Sequence, residues 1–200
     1  MTLDEFIAVI RGYTGFLDPE VQTDTYLTAF IRQGERKTSN ELRIADMIQI
    51  DTATLFQRRV TLPSDWLATD FVRGPDGKPL RFKARQEFYE LNDGRKYFTQ
   101  TGRWIEIGGD PDAVDGKSIE LSYFGDVPAL TNDAMNPSWL ANKYLEVLVS
   151  GTMFFAMDAM VDPSVPWGDR FTSAVAKLNS NYIESLTKGG TIARRTGSFG

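Results

Sequence analysis

NPSWLANKYLEVLVSGTMFFAMDAMVDPSVPWGDRFTSAVAKLNSNYIESL, residues 136–186, decides the fold. After Asn136-Pro137-Ser138 comes a nearly unbroken apolar run: Trp139, Leu140, Tyr144, Leu145, Val147, Leu148, Val149, Met153, Phe154, Phe155, Met157, Met160 and Val161. From Tyr144 onward apolar residues go most of the way round a helix, the pattern of a helix buried on several sides. A transmembrane span is the competing reading. Lys143, Glu146 and Asp158 interrupt the run, and Asp162-Pro163 ends it before a safely spanning length, because proline disfavours helical geometry in the residue before it. Gly151-Thr152 would let a neighbour approach closely. A second helix starts near Val165-Pro166-Trp167. Trp167, Phe171, Ala174, Val175, Leu178, Tyr182 and Leu186 form its amphipathic stripe, and Lys188-Gly189-Gly190 ends it. The spacing predicts a closing helical hairpin, one arm buried and one half-buried. Pro137, Trp139, Pro163, Trp167 and Phe171 mark its ends and its seam, and the rest of the chain is expected to pack around it.

Upstream, Thr2 and Glu5 have the spacing of a capping box. Leu3, Phe6, Ile7 and Ile10 make one apolar stripe, so a first helix runs to about Arg11. Gly12 and Gly15 bracket a turn, and Asp18-Pro19 opens a short helical turn. A longer helix fits residues 25–42, with Leu27, Phe30, Ile31, Gly34 and Thr38 on one face. Gly34 weakens it, and a close helix crossing explains the glycine.

From Met47 the period changes from helical to alternating. Met47, Ile48, Ile50 and residues 52–62 are rich in β-branched side chains and read as strands. Pro63-Ser64-Asp65 is a turn, residues 67–73 a strand, and Gly74-Pro75-Asp76-Gly77 a strong turn signal. Leu80, Phe82 and Ala84 alternate; residues 86–91 suit a short helix, and Asn92-Asp93-Gly94 a turn. Thr101-Gly102 reads as the turn of a tight hairpin between residues 97–100 and 104–107. Residues 108–116 read as a loop, and Ile119, Leu121 and Tyr123 as the last strand. The predicted fold class is therefore α+β. Residues 1–51 and 129–188 form a helical bundle, residues 52–128 an inserted small antiparallel β-sandwich or barrel, and residues 189–200 an extended C-terminal arm.

The 200 residues carry a net charge of −5 with acids and bases mixed along the chain, which argues against a nucleic-acid-binding face. The acidic start, Met1-Thr2-Leu3-Asp4-Glu5, does not look like an export signal. There is no cysteine and no histidine. Disulfides, thiolate metal sites, thiol nucleophiles and imidazole proton shuttles are excluded.

The remaining candidates for chemistry each have a plainer reading. Asp110, Asp112, Asp115 and Gly116 lack the spacing and closing glutamate of a calcium loop. They read as a solvated turn, with cation binding left open. Glu87 with Glu90, or Glu106 with Glu120, could be offered as a glycosidase pair. Glu106 and Glu120 alternate with apolar neighbours and read instead as the wet face of a sheet. Gly108-Gly109 is no phosphate loop, since no Lys-Ser/Thr follows. Trp66, Trp104 and Phe124 could stack sugar rings but read as core. Arg194-Arg195, in a tail ending Phe199-Gly200, has the character of a segment that orders on a partner. No catalytic, cofactor or metal residue is assigned.

Taken together, the order of these pieces resembles the head-to-tail adaptor proteins of short-tailed bacteriophages. The resemblance rests on TLDEFIAVIRGYTGFLDPE and FIRQGERKTSNELR in the N-terminal helices, RRVTLPSDWL at the Leu-Pro-x-Asp turn, IELSYFGDVPALTNDAMNPSWL at the returning strand, and AMDAMVDPSVPWGDRFTSAVAKLNSNY in the hairpin. It implies a structural virion protein forming a ring, typically of twelve copies, beneath the portal. The ring extends the DNA channel without specific DNA binding and joins the head to the tail or nozzle proteins. It implies a place in the virion neck after assembly in the host cytoplasm, no cofactor, no membrane contact and no catalytic residues. By position, the portal-binding arm is residues 189–200, with Gly189, Gly190, Arg194, Arg195 and Phe199 as contacts. Two alternatives remain: a carbohydrate-binding or glycan-cleaving tail protein using the β region, and a capsid or tail accessory protein that never meets a portal.

Overall fold

The structure, a computed structural model, describes residues 1–14, 23–91, 96–135, 138–158 and 166–187. The signals at Gly15, Asp18-Pro19, Asn92-Asp93-Gly94, Asn136-Pro137 and Asp162-Pro163, and everything from residue 188 onward, lie outside the described residues. The chain divides into two compact units, residues 1–45 with 127–200, and residues 46–126.

The first unit is helical among its described residues. Helix α1 (Leu3–Thr14) starts at the expected capping box, where the Thr2 amide donates to Glu5 Oε2 at 2.8 Å and the Glu5 amide to Thr2 Oγ1 at 3.3 Å. It runs one turn past Arg11, so Gly12 is helical rather than the edge of a turn. Helix α2 (Asp24–Glu41) begins one residue before the expected start, because the Thr23 hydroxyl accepts from the Tyr26 amide.

The apolar run does not form a single helix. It breaks at Tyr144 (φ −131°, ψ 44°) into α5 (Trp139–Lys143) and α6 (Leu145–Asp158). Trp139 meets Tyr144 edge-to-face at 6.0 Å at this corner. As its all-round apolar pattern predicts, α6 is buried on several sides and packs against both α2 and α7 (Trp167–Thr187). No described helix is long and apolar enough to cross a membrane.

Gly34 of α2 is where α6 comes closest. A Cβ there would lie 2.7 Å from the Thr152 amide nitrogen and 3.0 Å from the Gly151 carbonyl carbon, both backbone atoms. A Cβ at Gly151 would lie 3.1 Å from the Phe171 ring of α7 and 3.4 Å from the Gly34 carbonyl oxygen of α2. Two glycines thus allow the three helices to pack tightly.

The second unit is one seven-stranded sheet of order β1-β7-β3-β4-β5-β6-β2. The strands are β1 (Ile48–Thr54), β2 (Arg59–Thr61), β3 (Trp66–Arg73), β4 (Pro79–Phe82), β5 (Tyr97–Thr101), β6 (Trp104–Ile107) and β7 (Ser118–Gly125). The two edge strands, β1 and β2, are consecutive in the chain and joined by a corner where Phe56 pairs with Arg59. Leu55, Val60, Leu62, Val72, Leu80, Phe98, Ile105, Ile107, Ile119, Leu121 and Tyr123 all meet in one core, with Ala53 and Trp66 packed against it. Side chains from every strand thus share one interior, giving a nearly closed, barrel-like sheet rather than two stacked sheets.

The expectation of a wholly antiparallel insertion is corrected. β4 and β5 pair in parallel, Arg81 with Tyr97 and Phe82 with Phe98. A parallel pair needs a crossover, and α3 (Arg85–Glu90) lies on that connection. Residues 108–116 are also not all loop, since Pro111–Val114 form the short helix α4. The hairpin turn sits at Gly102-Arg103, one residue later than expected, because Thr101 still pairs with Trp104 and Gly102 takes a φ of 58°.

Candidate functional site

A polar cluster of the barrel unit is built around Glu106. Its neighbours Ile105 and Ile107 point inward, which puts Glu106 on the outer face, as alternation predicts. That face is not wet here. Glu106 is only 5% exposed. Arg58 Nη2 donates to its Oε1 at 2.9 Å, while Arg59 Nε at 3.1 Å and the Tyr89 hydroxyl at 2.9 Å donate to Oε2. Arg58 and Gln57 adopt left-handed φ values of 65° and 49°, and Arg58 also donates to the Gly109 carbonyl at 3.0 Å. The hydrogen bond and charge of Glu106 raise the Arg59 guanidinium above its ordinary value.

With both oxygens engaged, the carboxylate acts as a clamp on the β1–β2 corner rather than as an acid or base awaiting substrate. Glu120 accepts from Arg73 Nη1 at 2.9 Å, and its strand β7 is not a neighbour of β6 in the sheet. Glu87 pairs with Lys83. The carboxylates offered as glycosidase pairs are therefore each held by a basic partner, apart from Glu90.

Asp110, Asp112 and Asp115 are drawn into local structure. Asp110 Oδ1 accepts the Asp112 amide at 3.1 Å, and Asp115 Oδ1 accepts the Gln57 amide at 2.7 Å across the β1–β2 corner. No group of three or more His, Cys, Asp or Glu that could hold a metal is found among the described residues.

The aromatic residues divide. Phe124 is buried and Trp66 packs against the barrel core. Trp104 is half exposed, contrary to the core reading, because it shares the outer face with Glu106 at the tip of the β5–β6 hairpin. Phe82 is 61% exposed and meets Phe98 edge-to-face at 5.6 Å. These two rings stand at a cleft of about 460 Å³. Residues 66–71 of β3 line one wall, with Leu80, Phe82, Phe98 and Gln100 on the other.

Among the described residues, Tyr123 carries the one strongly displaced ionisation. Burial first, and then Asp65, whose Oδ1 accepts the phenol at 3.3 Å, push its pKa up to about 12 from 10.0. The folded state holds this proton more tightly than the unfolded chain. Stability is therefore expected to fall as pH rises from about 10 to about 12. Denaturant titrations at stepped pH, compared with Tyr123→Phe, check this; equal slopes in both proteins would show that Tyr123 does not contribute.

In the helical unit, Glu35 of α2 is 5% exposed. Its carboxylate accepts the Leu130 amide at 2.5 Å and Arg32 Nη1 at 2.7 Å, and Arg32 Nη2 donates to the Leu130 carbonyl at 2.8 Å. Ser39 Oγ, one turn further on, accepts the Val127 amide at 3.1 Å. Residues 127–130 re-enter the helical unit along this polar stripe. A buried glutamate inside a helical apolar pattern was the signal available in the sequence, but a charged residue there reads by default as solvated.

The α7 stripe is seated only in its first half. Trp167, Phe171 and Val175 are buried, and Trp167 meets Tyr13 of α1 edge-to-face at 5.8 Å. Leu178 and Tyr182 are half-buried, and Ile183 and Leu186 are exposed. The cause is length: α7 has 21 residues and α6 has 14, so α7 outruns its partner by about 10 Å. Of the remaining predicted positions, Pro137, Pro163, Gly189, Gly190, Arg194, Arg195 and Phe199 lie outside the described residues.

A family model described as SU10 adaptor protein matches residues 1–195. No curated protein matches the chain.

Proposed function

From the premise that the chain belongs to the SU10 adaptor protein family of structural bacteriophage head-to-tail adaptors, we propose that it forms a ring beneath the portal. In this reading the ring has twelve copies, lies in the virion neck after assembly in the host cytoplasm, extends the DNA channel and joins the head to the tail. It performs no catalysis. The observation that carries the reading is the family match, which runs over nearly the whole chain.

The exposed last turns of α7 support it. A ring subunit needs two different faces that close by rotation, and Leu178, Tyr182, Ile183 and Leu186 offer one apolar face. The net charge of −5 suits a channel through which DNA slides, since a basic lining would bind phosphates strongly. Residues 189–200, with Arg194, Arg195 and Phe199, are the contact to the portal.

Native mass spectrometry of the subunit mixed with the portal ring of the same virus tests this. A fixed multi-copy complex of portal symmetry is expected. Deleting residues 189–200 is expected to abolish that complex while leaving the melting temperature within about 2 °C, because a terminal segment contributes little to folding. Normal assembly by the truncated chain would remove the role given to the arm. No complex with the full chain would overturn the adaptor function itself.

A further inference from the structure

Acids and bases are mixed along the sequence, but the fold of the barrel sorts them. The sheet order divides the nearly closed ring of strands into two opposite arcs, β1-β7-β3 and β4-β5-β6-β2. Residues 46–54, 65–73 and 117–126, which hold the first arc, carry six acids and two bases. Residues 58–61, 78–90 and 96–107, which hold the second arc and α3, carry eight bases and three acids. The other described acids of this unit, on residues 74–77 and 108–116, lie on connections between the arcs. Segments of the two arcs interleave in the chain, so only the strand order separates net −4 from net +5.

Much of this charge is exposed and unmatched. Asp51, Asp70 and Asp126 of the first arc and Arg81 and Arg85 of the second are exposed, and none of them forms an ion pair among the described residues. On the acidic arc, Arg73 is already taken by Glu120. On the basic arc, Glu106 is buried against Arg58 and Arg59, and Glu87 is taken by Lys83. The basic arc also exposes Tyr89 and Trp104. Arginine, tyrosine and tryptophan are the residues enriched at protein interfaces.

We propose that the acidic arc of one barrel docks on the basic arc of a second copy, head to tail. This rests on the ring reading and names the surface by which the barrel joins the ring, in addition to the apolar face of α7. Charge complementarity selects the occupant. A two-fold contact through either arc would set that arc against its own like, which is repulsive. A head-to-tail contact pairs unlike arcs at every interface and closes into a ring when the rotation allows. DNA would satisfy only the basic arc, and a basic protein only the acidic one; a second copy satisfies both. Single surface ion pairs are worth little. Several charges facing several of opposite sign supply orientation and faster encounter, and they suppress wrong pairings.

Native mass spectrometry of the full chain on the portal ring of the same virus tests this with two charge reversals. Lys78→Glu/Arg81→Glu/Arg85→Glu turns the basic arc net acidic, and Asp51→Lys/Asp70→Lys/Asp126→Lys turns the acidic arc net basic; all six positions are exposed. Each variant alone is expected to bind the portal but to load neighbouring copies at least tenfold more weakly, leaving partly filled complexes. Mixed one to one, the two variants are expected to restore the full complex with both present in equal amounts, because each then meets its complement on both sides. Should a variant fail to fold, the wild-type chain carries the test: its copy number per portal is expected to fall as salt rises from about 0.05 M to about 0.5 M.

Full complexes from either variant alone, no restoration on mixing, or a wild-type copy number insensitive to salt overturns the inference and leaves the adaptor function standing. If the wild-type chain holds duplex DNA and the basic-arc variant loses only that, nucleic acid is the occupant and the inference falls. No wild-type complex with the portal removes the ring reading and this inference together.

Discussion

Gly34→Ala is expected to destabilise the protein by about 2 kcal/mol, lowering its melting temperature by about 4–8 °C. The sign is not obvious from sequence, because alanine in place of a mid-helix glycine normally gains about 1 kcal/mol. Here the added methyl would lie 2.7 Å from the Thr152 amide nitrogen and 3.0 Å from the Gly151 carbonyl carbon. Neither atom is the end of a flexible side chain that could swing aside. α2 and α6 must move apart, and α6 is also held against Phe171 of α7 through Gly151. Overpacking of this kind costs about 1–3 kcal/mol and sometimes more, which exceeds the propensity gain. Gly34→Leu should prevent the packing outright. Gly12→Ala is the control: it is also helical, but nothing lies within 4 Å of its added methyl. It should raise stability by up to about 1 kcal/mol. Thermal melts of the three variants, followed by helical circular dichroism, check the contrast. A Gly34→Ala protein as stable as Gly12→Ala would show that the helices have slack at the crossing.

Glu35→Ala should lower stability by about 3 kcal/mol. The carboxylate holds a backbone amide, Leu130 N, and Arg32, which in turn holds the Leu130 carbonyl. Removing it leaves the amide without its acceptor, a loss of about 1–3 kcal/mol for a buried donor. The Arg32 share is smaller, since that side chain is about a third exposed and water replaces part of the interaction. Glu35→Gln keeps an acceptor for the amide and gives up the charge, so its loss should be about half as large. Besides the melting temperature, the Leu130 amide should exchange much faster in Glu35→Ala than in Glu35→Gln. Equal exchange in the two would mean that the amide does not depend on this acceptor.

How much of this was legible in advance depends on the range of the interaction. The capping box at Thr2 and Glu5, the stripe of α1, the all-round apolar character of α6 and the turns at Gly74 and Gly102 were readable, because each is set by residues within a few positions of one another. Gly34 was readable as a crossing point, though not its partners. Glu106 was misplaced on a wet face because alternation gives its side of the strand but not what covers that side. Tyr89 from α3 and Arg58 from the β1–β2 corner do so, and both lie far away in the chain. Trp104 was misread for the opposite reason: its strand is short and its hairpin tip is left uncovered.

The sequence by itself determined the α+β class, the helices-strands-helices order and the resemblance to phage adaptors, since hydrophobic period and motif order are carried by the chain locally. Only the tertiary structure decided the strand order, the parallel β4–β5 pair, the break at Tyr144, and the burial of Glu35 and Glu106. Each of these depends on which distant segment comes to lie beside a residue, and the packing of the folded chain makes that choice.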